Sequence, residues 1–260
     1  MSPVRVLVVL FALASLGGCA TINGPKDPRD PWEGFNRGVY KFNTDVDNAI
    51  LKPVAQGYEN VVPQPARTGV SNFFSNLGDI VVLVNDLLQL KGRQAASDFS
   101  RLVWNTTLGL GGLIDVATPM DLPKHNEDFG QTLGYWGVGS GPYLVLPLLG
   151  PSSLRDGTGT LVDYTQFDQL HRIKPYHPTR MAVLTLQTVD TRANLLRASN
   201  LLDQAALDPY VFLREAYLQR RENLVYDGNP PPPPFEEFED LPPDEPAPTA
   251  APAQDQAAPQ

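Results

Sequence analysis

Residues 33–50 read EGFNRGVYKFNTDVDNAI, and the spacing of their apolar side chains decides the fold class. Four of these side chains recur at i, i+3, i+7 and i+11: Val39, Phe42, Val46 and Ile50. An α-helix brings residues at these intervals onto one face, whereas a half-buried strand would alternate at every second residue. The stretch therefore predicts an amphipathic helix that ends before Pro53, because the residue preceding a proline disfavours helical backbone.

Helical spacing continues through the rest of the chain up to residue 227. A second apolar stripe follows helical intervals: Ala182, Leu186, Val189, Ala193 and Leu196. Asp208-Pro209 predicts the start of another helix, because Asp caps helices and Pro is favoured at the first helical position. Further helices are predicted at 65–76, 80–91, 93–108 and 152–164, the last with Ser152 or Ser153 as its cap. Sustained strand-like alternation is almost absent, so the predicted fold class is all-α.

Two apolar segments do not suit an ordinary helical bundle in water. Residues 80–90 (IVVLVNDLLQL) are apolar on almost every face, and residues 102–114 contain no charged side chain. Both are shorter than the roughly 20 residues that a membrane-spanning helix needs. Such helices are buried either in protein or in lipid, and the sequence leaves both alternatives open.

The longest uncharged segment is residues 129–154, where six glycines and three prolines exclude a continuous helix. Irregular backbone at membrane depth is tolerated only inside protein or around a water-filled cavity. Three aromatic residues of this segment are of the types that lie at membrane surfaces, and they are candidates for a membrane interface: Tyr135, Trp136 and Tyr143. The segment is either a Gly-rich loop with buried aromatic residues or a segment lining an opening at membrane level.

The N-terminus has the features of a secretory leader. Residues 1–18 hold one positive charge and an apolar run, and they end in Leu16-Gly17-Gly18 before Cys19. This ending resembles the lipobox of bacterial lipoproteins, which predicts that Cys19 carries the N-acyl and S-diacylglyceryl groups, as in a palmitate-bearing lipoprotein. Several acyl chains make a durable membrane anchor. An ordinary signal peptide is the alternative.

The C-terminus differs in composition from the rest of the chain. Residues 228–260 are rich in proline and acidic side chains and contain no Lys or Arg, so we expect a disordered tail. The tail accounts for most of the net charge of -9, and charges in the remaining residues nearly balance. No electrostatic argument for nucleic-acid binding follows. The predicted organisation is a signal peptide at 1–18, a lipidated linker at 19–29, one helical domain at 30–227 and the tail at 228–260.

Motifs for catalysis and for cofactors are missing from the sequence. No Gly-x-Ser-x-Gly and no Gly-Lys-Ser/Thr occurs, and the three His residues have loop-like neighbours. A single Cys excludes an intrachain disulfide and makes a His/Cys zinc site improbable. We therefore predict a protein that is not an enzyme and that uses neither cofactor nor metal.

A series of motifs in order along residues 30–227 resembles the MlaA (VacJ) family of outer-membrane lipoproteins. The first is Asp30-Pro31-Trp32-Glu33-Gly34-Phe35-Asn36-Arg37. Others follow along the chain: Lys52-Pro53-Val54-Ala55, Asn72-Phe73-Phe74, Gly109-x-Gly111-Gly112, Asp115-Val116-Ala117, 127–134 (EDFGQTLG), Gly141-Pro142-Tyr143, Leu154-Arg155-Asp156 and Arg214-Glu215-Ala216-Tyr217. An ordered series of this kind is far more specific than any single motif.

The resemblance implies a ring-like helical domain within the outer membrane of a Gram-negative bacterium, on its periplasmic side. It implies an amphipathic pore that passes mislocalised phospholipids from the outer leaflet to a periplasmic lipid-carrier protein. It also implies association with trimeric porins. Two other functions are alternatives: a structural envelope scaffold that ties porin to other proteins, and a membrane-held lipid hydrolase, for which the nucleophile motif is missing.

Two groups of residues are candidates for a pore of this kind. Gly109, Gly111 and Gly112 could form a hinge, since glycine lets the backbone bend, with close helix packing as the alternative. Arg155 could contact a lipid phosphate through its guanidinium, and a structural ion pair with Asp156 or Asp163 is the alternative.

Overall fold

The computed structural model describes residues 27–167 and 178–232. Eight α-helices occur in these ranges: α1 (Glu33–Val46), α2 (Lys52–Val61), α3 (Gln64–Leu88), α4 (Gly92–Thr107), α5 (Phe129–Tyr135), α6 (Leu154–Val162), α7 (Pro178–Ala205) and α8 (Pro209–Val225). A two-stranded antiparallel sheet joins α5 to α6, with strands β1 (Tyr143–Leu146) and β2 (Gly150–Ser153). The predicted all-α class is therefore confirmed, with one small hairpin added.

The first predicted helix continues past its expected end. A π-helical turn, Asp47–Leu51, follows α1 and leads directly into α2. Pro53 lies in the first turn of α2, directly after the π-helical turn, and the helical segment continues through it. The apolar stripe thus marks the helix correctly, but Pro53 does not end the helical segment.

The segments 65–76 and 80–91, predicted as two helices, form the single helix α3 of 25 residues. Gly78, which lies between them, has open space around it and causes no break. The chain then turns at Leu90, whose φ of 60° is left-handed, and α4 returns against α3. No helix within the described ranges is long and apolar enough to cross a membrane.

The β-hairpin is the element that periodicity did not predict. Tyr143 pairs with Ser153 and Leu146 pairs with Gly150 in an antiparallel register. The turn places Leu148 and Gly150 at φ of 64° and 86°. Strand β1 is Tyr-Leu-Val-Leu and β2 is Gly-Pro-Ser-Ser, so neither shows the alternation of apolar and polar residues that predicts a half-buried strand.

Side chains cap three helices at their N-termini. Ser153 accepts a hydrogen bond from the backbone of Asp156 at the start of α6, and Asp208 accepts bonds from Tyr210 and Val211 at the start of α8. Both caps are predicted by the sequence. Asp128 caps α5 by accepting from the backbone N–H of Gln131. Each cap fixes where a helix begins by satisfying a backbone donor.

Two small apolar clusters lie in the interior. One joins α1, β1 and α8 through Val39, Tyr143, Val145 and Tyr210. The other joins α2 and α7 through Ala55, Ala193 and Leu196. Both clusters contain few residues for a domain of this length, and polar side chains fill much of the remaining interior.

Candidate functional site

The helices α3 and α4 bury polar faces and expose apolar faces. The buried positions of α4 are Ala95, Asp98, Arg101 and Asn105, and those of α3 are Asn76, Asp79, Val82, Asn85 and Asp86. Large apolar side chains of the same helices lie on the outside: Phe73, Leu87, Leu88, Phe99, Val103 and Trp104. This arrangement is the reverse of a helix on the surface of a protein in water.

The same inversion holds across the described part of the chain. Twenty buried residues there are polar or charged and eleven are apolar, while more than thirty large apolar or aromatic side chains are exposed. Exposed apolar surface on this scale marks contact with lipid or with another protein. The segments 80–90 and 102–114 contribute to both sides, since many of their apolar residues face outward and four of their polar residues face inward: Asn85, Asp86, Gln89 and Asn105.

Hydrogen bonds satisfy much of the polar interior between α3 and α5. The side-chain amide of Gln89 donates to Glu127 Oε2 at 2.8 Å and to Thr132 Oγ1 at 3.1 Å. The Thr132 hydroxyl donates to Asn85 Oδ1 at 2.8 Å, and Lys91 Nζ lies 3.0 Å from Glu127 Oε1. Pairing of this kind makes burial of polar groups tolerable.

A pair of acidic side chains, Asp86 and Asp98, is completely buried between α3 and α4. Burial, followed by the neighbouring Asp98 and then Glu127, raises the pKa of Asp86 to about 8. His125 Nδ1 lies 2.7 Å from Asp98 Oδ2. Asp86 Oδ1 and Oδ2 and Asp98 Oδ1 accept no hydrogen bond from any described donor. A proton on Asp86 would give the two carboxyl groups the donor that they lack.

Tyr135 and Trp136 lie on the outside, and their position at a membrane interface stays a prediction. Their rings meet edge to face with centroids 5.6 Å apart, and both are about half exposed. Trp136 Nε1 donates to the carbonyl of Leu88 at 3.1 Å, and Lys91 Nζ lies 5.6 Å from the Tyr135 ring centroid. The pair therefore continues the apolar exterior of α3.

Tyr143, the third candidate for a membrane interface, lies inside the protein, unlike Tyr135 and Trp136. It is completely buried, and its ring packs against Tyr210 and Tyr217 at centroid distances of 6.2 and 5.9 Å. The backbone of β1 forces this position, because the Tyr143 N–H donates to the Arg29 carbonyl and its own carbonyl accepts from Asn36. Tyr143 is a core residue, which corrects its assignment to a membrane interface.

Arg155 and Asp156 belong to one buried hydrogen-bonded cluster. Arg155 Nε donates to Asp156 Oδ1 at 2.9 Å, and Arg155 Nη1 donates to the Val138 carbonyl. Asp156 also accepts from Arg221 at 2.9 Å and from the Tyr217 hydroxyl at 2.7 Å. The geometry favours a structural ion pair for Arg155. Its contact with a lipid phosphate stays a prediction.

The glycine motif that is a candidate hinge forms a tight turn after α4. The Gly111 N–H donates to the Thr106 carbonyl at 2.9 Å, and the Gly112 N–H donates to the Asn105 carbonyl at 2.8 Å. These two glycines have φ of 72° and 91°, values that residues with a Cβ rarely adopt.

Close contacts surround Gly109 and Gly112 but leave Gly111 free. A Cβ on Gly109 would collide with the carbonyl oxygens of Asn105 and Ile114, and a Cβ on Gly112 would lie 2.7 Å from Asn76 Nδ2. No atom lies within 4 Å of a Cβ on Gly111. Packing thus accounts for two of the glycines, and hinge motion centred on Gly111 stays a prediction.

We expect the substitution Gly112→Ala to destabilise the protein by about 1–3 kcal/mol, because it adds a clash with Asn76 to an unfavourable φ. The matched control is Gly111→Asn, since asparagine tolerates left-handed backbone and the space there is open. Thermal unfolding in detergent, followed by circular dichroism, measures both variants. Equal melting temperatures for Gly112→Ala and the wild type would contradict the packing role.

Sequence reasoning did not identify the inward polar stripe of α3. Its signal was present, because Asn76, Asp79, Asn85, Asp86 and Gln89 recur at helical intervals across an otherwise apolar segment. Cys19, the predicted site of lipid attachment, lies outside the described residues, as does most of the predicted tail.

Comparisons with known proteins agree with one another. A model of the MlaA lipoprotein family matches residues 28–224. A relative from Shigella flexneri, named intermembrane phospholipid transport system lipoprotein MlaA, is 42% identical over 232 residues, which cover 86% of this chain and 90% of the relative. A relative of the same name from Haemophilus influenzae is 36% identical over 239 residues, which cover 88% of this chain and 93% of the relative.

A solved structure also matches, with a TM-score of 0.66 and 40% sequence identity. It is described as the structural basis for maintenance of bacterial outer membrane lipid asymmetry, and the match covers 75% of this chain and 98% of that one. The family match spans every helix from α1 to nearly the end of α8. By this extent of sequence and fold, the chain belongs to the MlaA lipoprotein family.

Proposed function

We propose that this chain is an outer-membrane lipoprotein that maintains lipid asymmetry by retrograde phospholipid transport. It accepts phospholipids that have reached the outer leaflet and passes them through an amphipathic opening to a periplasmic lipid-carrier protein. The names of the relatives from Shigella flexneri and Haemophilus influenzae, which place those proteins in an intermembrane phospholipid transport system, support this function.

The inverted polarity of α3 and α4 is the observation that carries the proposal. An exterior rich in Leu, Phe and Trp is stable against acyl chains, and a polar interior offers hydrogen bonds to a lipid headgroup that leaves the membrane surface. No helix of the described residues is both long and apolar enough to cross the bilayer, so we place the helices within one leaflet around the opening. The free energy comes from moving a lipid out of a leaflet where it is unfavourable.

The proposal includes a membrane anchor and a protein neighbour. Acyl groups on Cys19 hold the chain in the outer membrane, and a trimeric porin is the proposed neighbour within the bilayer. The large exposed apolar surface supports both contacts. A purely structural scaffold is the less favoured alternative, because a scaffold gives no reason for a buried polar stripe along α3.

Deletion of the gene in its native bacterium tests the function. We expect more phospholipid on the cell surface, measured by chemical labelling of intact cells, and a return to the normal level when the intact gene is restored. Unchanged surface phospholipid in the deletion strain would contradict transport.

Two altered genes, each introduced into the deletion strain in place of the intact gene, test the anchor and the tail. A gene with Cys19→Ala should leave the defect in place, because the chain loses its anchor. A gene lacking codons 228–260 should restore asymmetry, since a pore needs only the helical domain. Failure of the shortened gene at normal protein abundance would favour a scaffold that acts through its tail.

A further inference from the structure

A polar cleft of about 430 Å³ lies between the first two turns of α3 and the middle of α7. Its lining includes two arginines and four uncharged polar side chains: Arg67, Arg197, Gln64, Thr68, Ser71 and Asn194. Glu59 is the one acid among the described lining residues, and the buried Asp190 accepts hydrogen bonds from two of them, Ser71 and Asn194. The volume of the cleft is in the range of small-molecule sites.

The two arginines keep unused hydrogen-bond donors. Arg67 Nη1 donates to Glu59 Oε1 at 2.9 Å, but the buried Nε of Arg67 has no partner among the described residues. Arg197 is exposed and makes no hydrogen bond or ion pair with any residue that the structure describes. Arginine binds phosphate through pairs of parallel N–H donors. The Nε of Arg67 is buried away from the open cleft, so the exposed guanidinium of Arg197, next to Arg67 in the lining, is the group that favours a phosphate.

The floor of the cleft is already fixed by a separate network. Asp190 is buried behind the cleft and accepts hydrogen bonds from Tyr58 at 3.2 Å and from Ser71 at 2.8 Å. Asn194 donates to Ser71 Oγ at 3.0 Å. Since these groups satisfy one another, they do not occupy the arginine donors, and they join α3 to α7.

An apolar cleft of about 390 Å³ adjoins the polar one. Gln64 and Thr68, one turn apart on α3, line both clefts and form a ridge between them. On the far side of the ridge the lining includes Leu113 and Ile114, each about half exposed, next to the glycine turn. The polar cleft and the apolar cleft share the Gln64–Thr68 ridge. Together they suit a molecule that has a polar head and an apolar chain.

We propose that the two clefts form a binding site for a phospholipid, with its phosphate held by Arg67 and Arg197 and an acyl chain against Leu113 and Ile114. The inference rests on the proposed function and names the residues that take the headgroup. The phosphate chemistry is common to a lipid headgroup and to free inorganic phosphate. The apolar cleft beyond the Gln64–Thr68 ridge favours the lipid.

Lipid binding by the purified full chain tests the site. The probe is phosphatidylethanolamine with a pyrene-labelled acyl chain in micelles of a non-ionic detergent. We expect Arg197→Gln to weaken binding about tenfold, because a charge-assisted hydrogen bond is lost, and Arg67→Gln to weaken it by a similar factor. Arg93→Gln is the matched control, since Arg93 is exposed at the start of α4 away from the cleft. Wild-type affinity in Arg197→Gln would overturn the proposal.

Two arms separate the sources of phosphate. Leu113→Gln should weaken binding of the labelled lipid, and millimolar inorganic phosphate should not displace the lipid from the wild type. Displacement by inorganic phosphate together with full binding by Leu113→Gln would make this a site for a soluble anion and overturn the lipid assignment. Arg197 makes no hydrogen bond or ion pair with described residues, so its substitution should leave folding intact.

The cellular assay separates this inference from the proposed function. A gene with both Arg67→Gln and Arg197→Gln should restore asymmetry poorly at normal protein abundance. Full restoration by the double variant would overturn the headgroup site and leave transport standing. Failure of the wild-type gene to restore asymmetry would instead overturn transport itself.

Discussion

Asp156→Ala is expected to lower the free energy of unfolding by about 3–5 kcal/mol, the range for breaking a buried ion pair by removing one partner. The carboxylate is almost completely buried and accepts hydrogen bonds from Arg155, Arg221 and Tyr217. Without it, two guanidinium groups keep their charge in an interior that offers less compensation. The loss should weaken the contact between α8 and α6, because Arg221 and Tyr217 on α8 both bond to Asp156, whereas Arg221 keeps its bond to Asp128 at the start of α5.

Thermal unfolding in detergent measures this effect, and Asp45→Ala is the matched control. Asp45 is exposed and pairs with Lys41 one turn away on α1, so its loss should change stability by less than about 1 kcal/mol. Asp156→Asn retains the shape of the side chain, so its loss of stability should lie between those of Asp156→Ala and Asp45→Ala. Equal stability of Asp156→Ala and Asp45→Ala would show that the cluster does not hold α8 in place.

The pH dependence of the same cluster has a definite sign. Burial acts to raise the pKa of Asp156, but Arg221, Tyr217 and Arg155 outweigh burial and hold it below its usual value. The native state therefore binds fewer protons than the unfolded state near the ordinary pKa of about 4. The stability that Asp156 contributes is complete above that pH and is lost as the pH falls through the lowered pKa.

The sequence pattern predicted the bounds of α8 and α4 best, although of these two helices α8 alone has a side-chain N-cap. α8 begins at Asp208-Pro209 as expected, and α4 differs from the prediction by one residue at each end. The join between α1 and α2 was not predictable, because a proline can end a helix or begin one. Pro53 follows a π-helical turn, and this turn lets the helical segment continue. The sequence does not show where a π-helical turn occurs.

The candidate site was harder to predict because burial in this protein does not follow apolarity. Tyr135 and Trp136 are exposed and Tyr143 is buried, although all three occur in one uncharged segment. What separates them is the hairpin, whose backbone pairs Tyr143 with Ser153 and turns its ring towards α8. Tyr143 is also held by Arg29, Asn36 and Tyr210, which are distant in the sequence, so the segment itself carries no mark of these contacts.

Asp86→Asn is expected to raise the melting temperature at pH 9 and to leave it nearly unchanged at pH 5. Burial, Asp98 and Glu127 raise the pKa of Asp86 to about 8, so the native state binds a proton that the unfolded state releases above about pH 4. Stability is therefore greatest at low pH and falls as the pH rises through 8. Asparagine cannot ionise, so we expect Asp86→Asn to raise the free energy of unfolding by about 1–3 kcal/mol at pH 9. This corresponds to a rise in melting temperature of roughly 3–8 °C.

Melting curves of the wild type and Asp86→Asn between pH 5 and pH 9 measure the difference, with Asp45→Asn as the exposed control. A wild-type melting temperature that does not change between pH 5 and pH 9 would contradict a proton shared by Asp86 and Asp98. So would an Asp86→Asn variant that raises the melting temperature as much at pH 5 as at pH 9. Asp98→Asn should not reproduce the gain, because His125 Nδ1 lies 2.7 Å from Asp98 Oδ2 and would lose its carboxyl partner. The polar interface between α3 and α4 would then depend on one proton between Asp86 and Asp98. A polar interior can thus remain stable without a compensating cation at every carboxyl group.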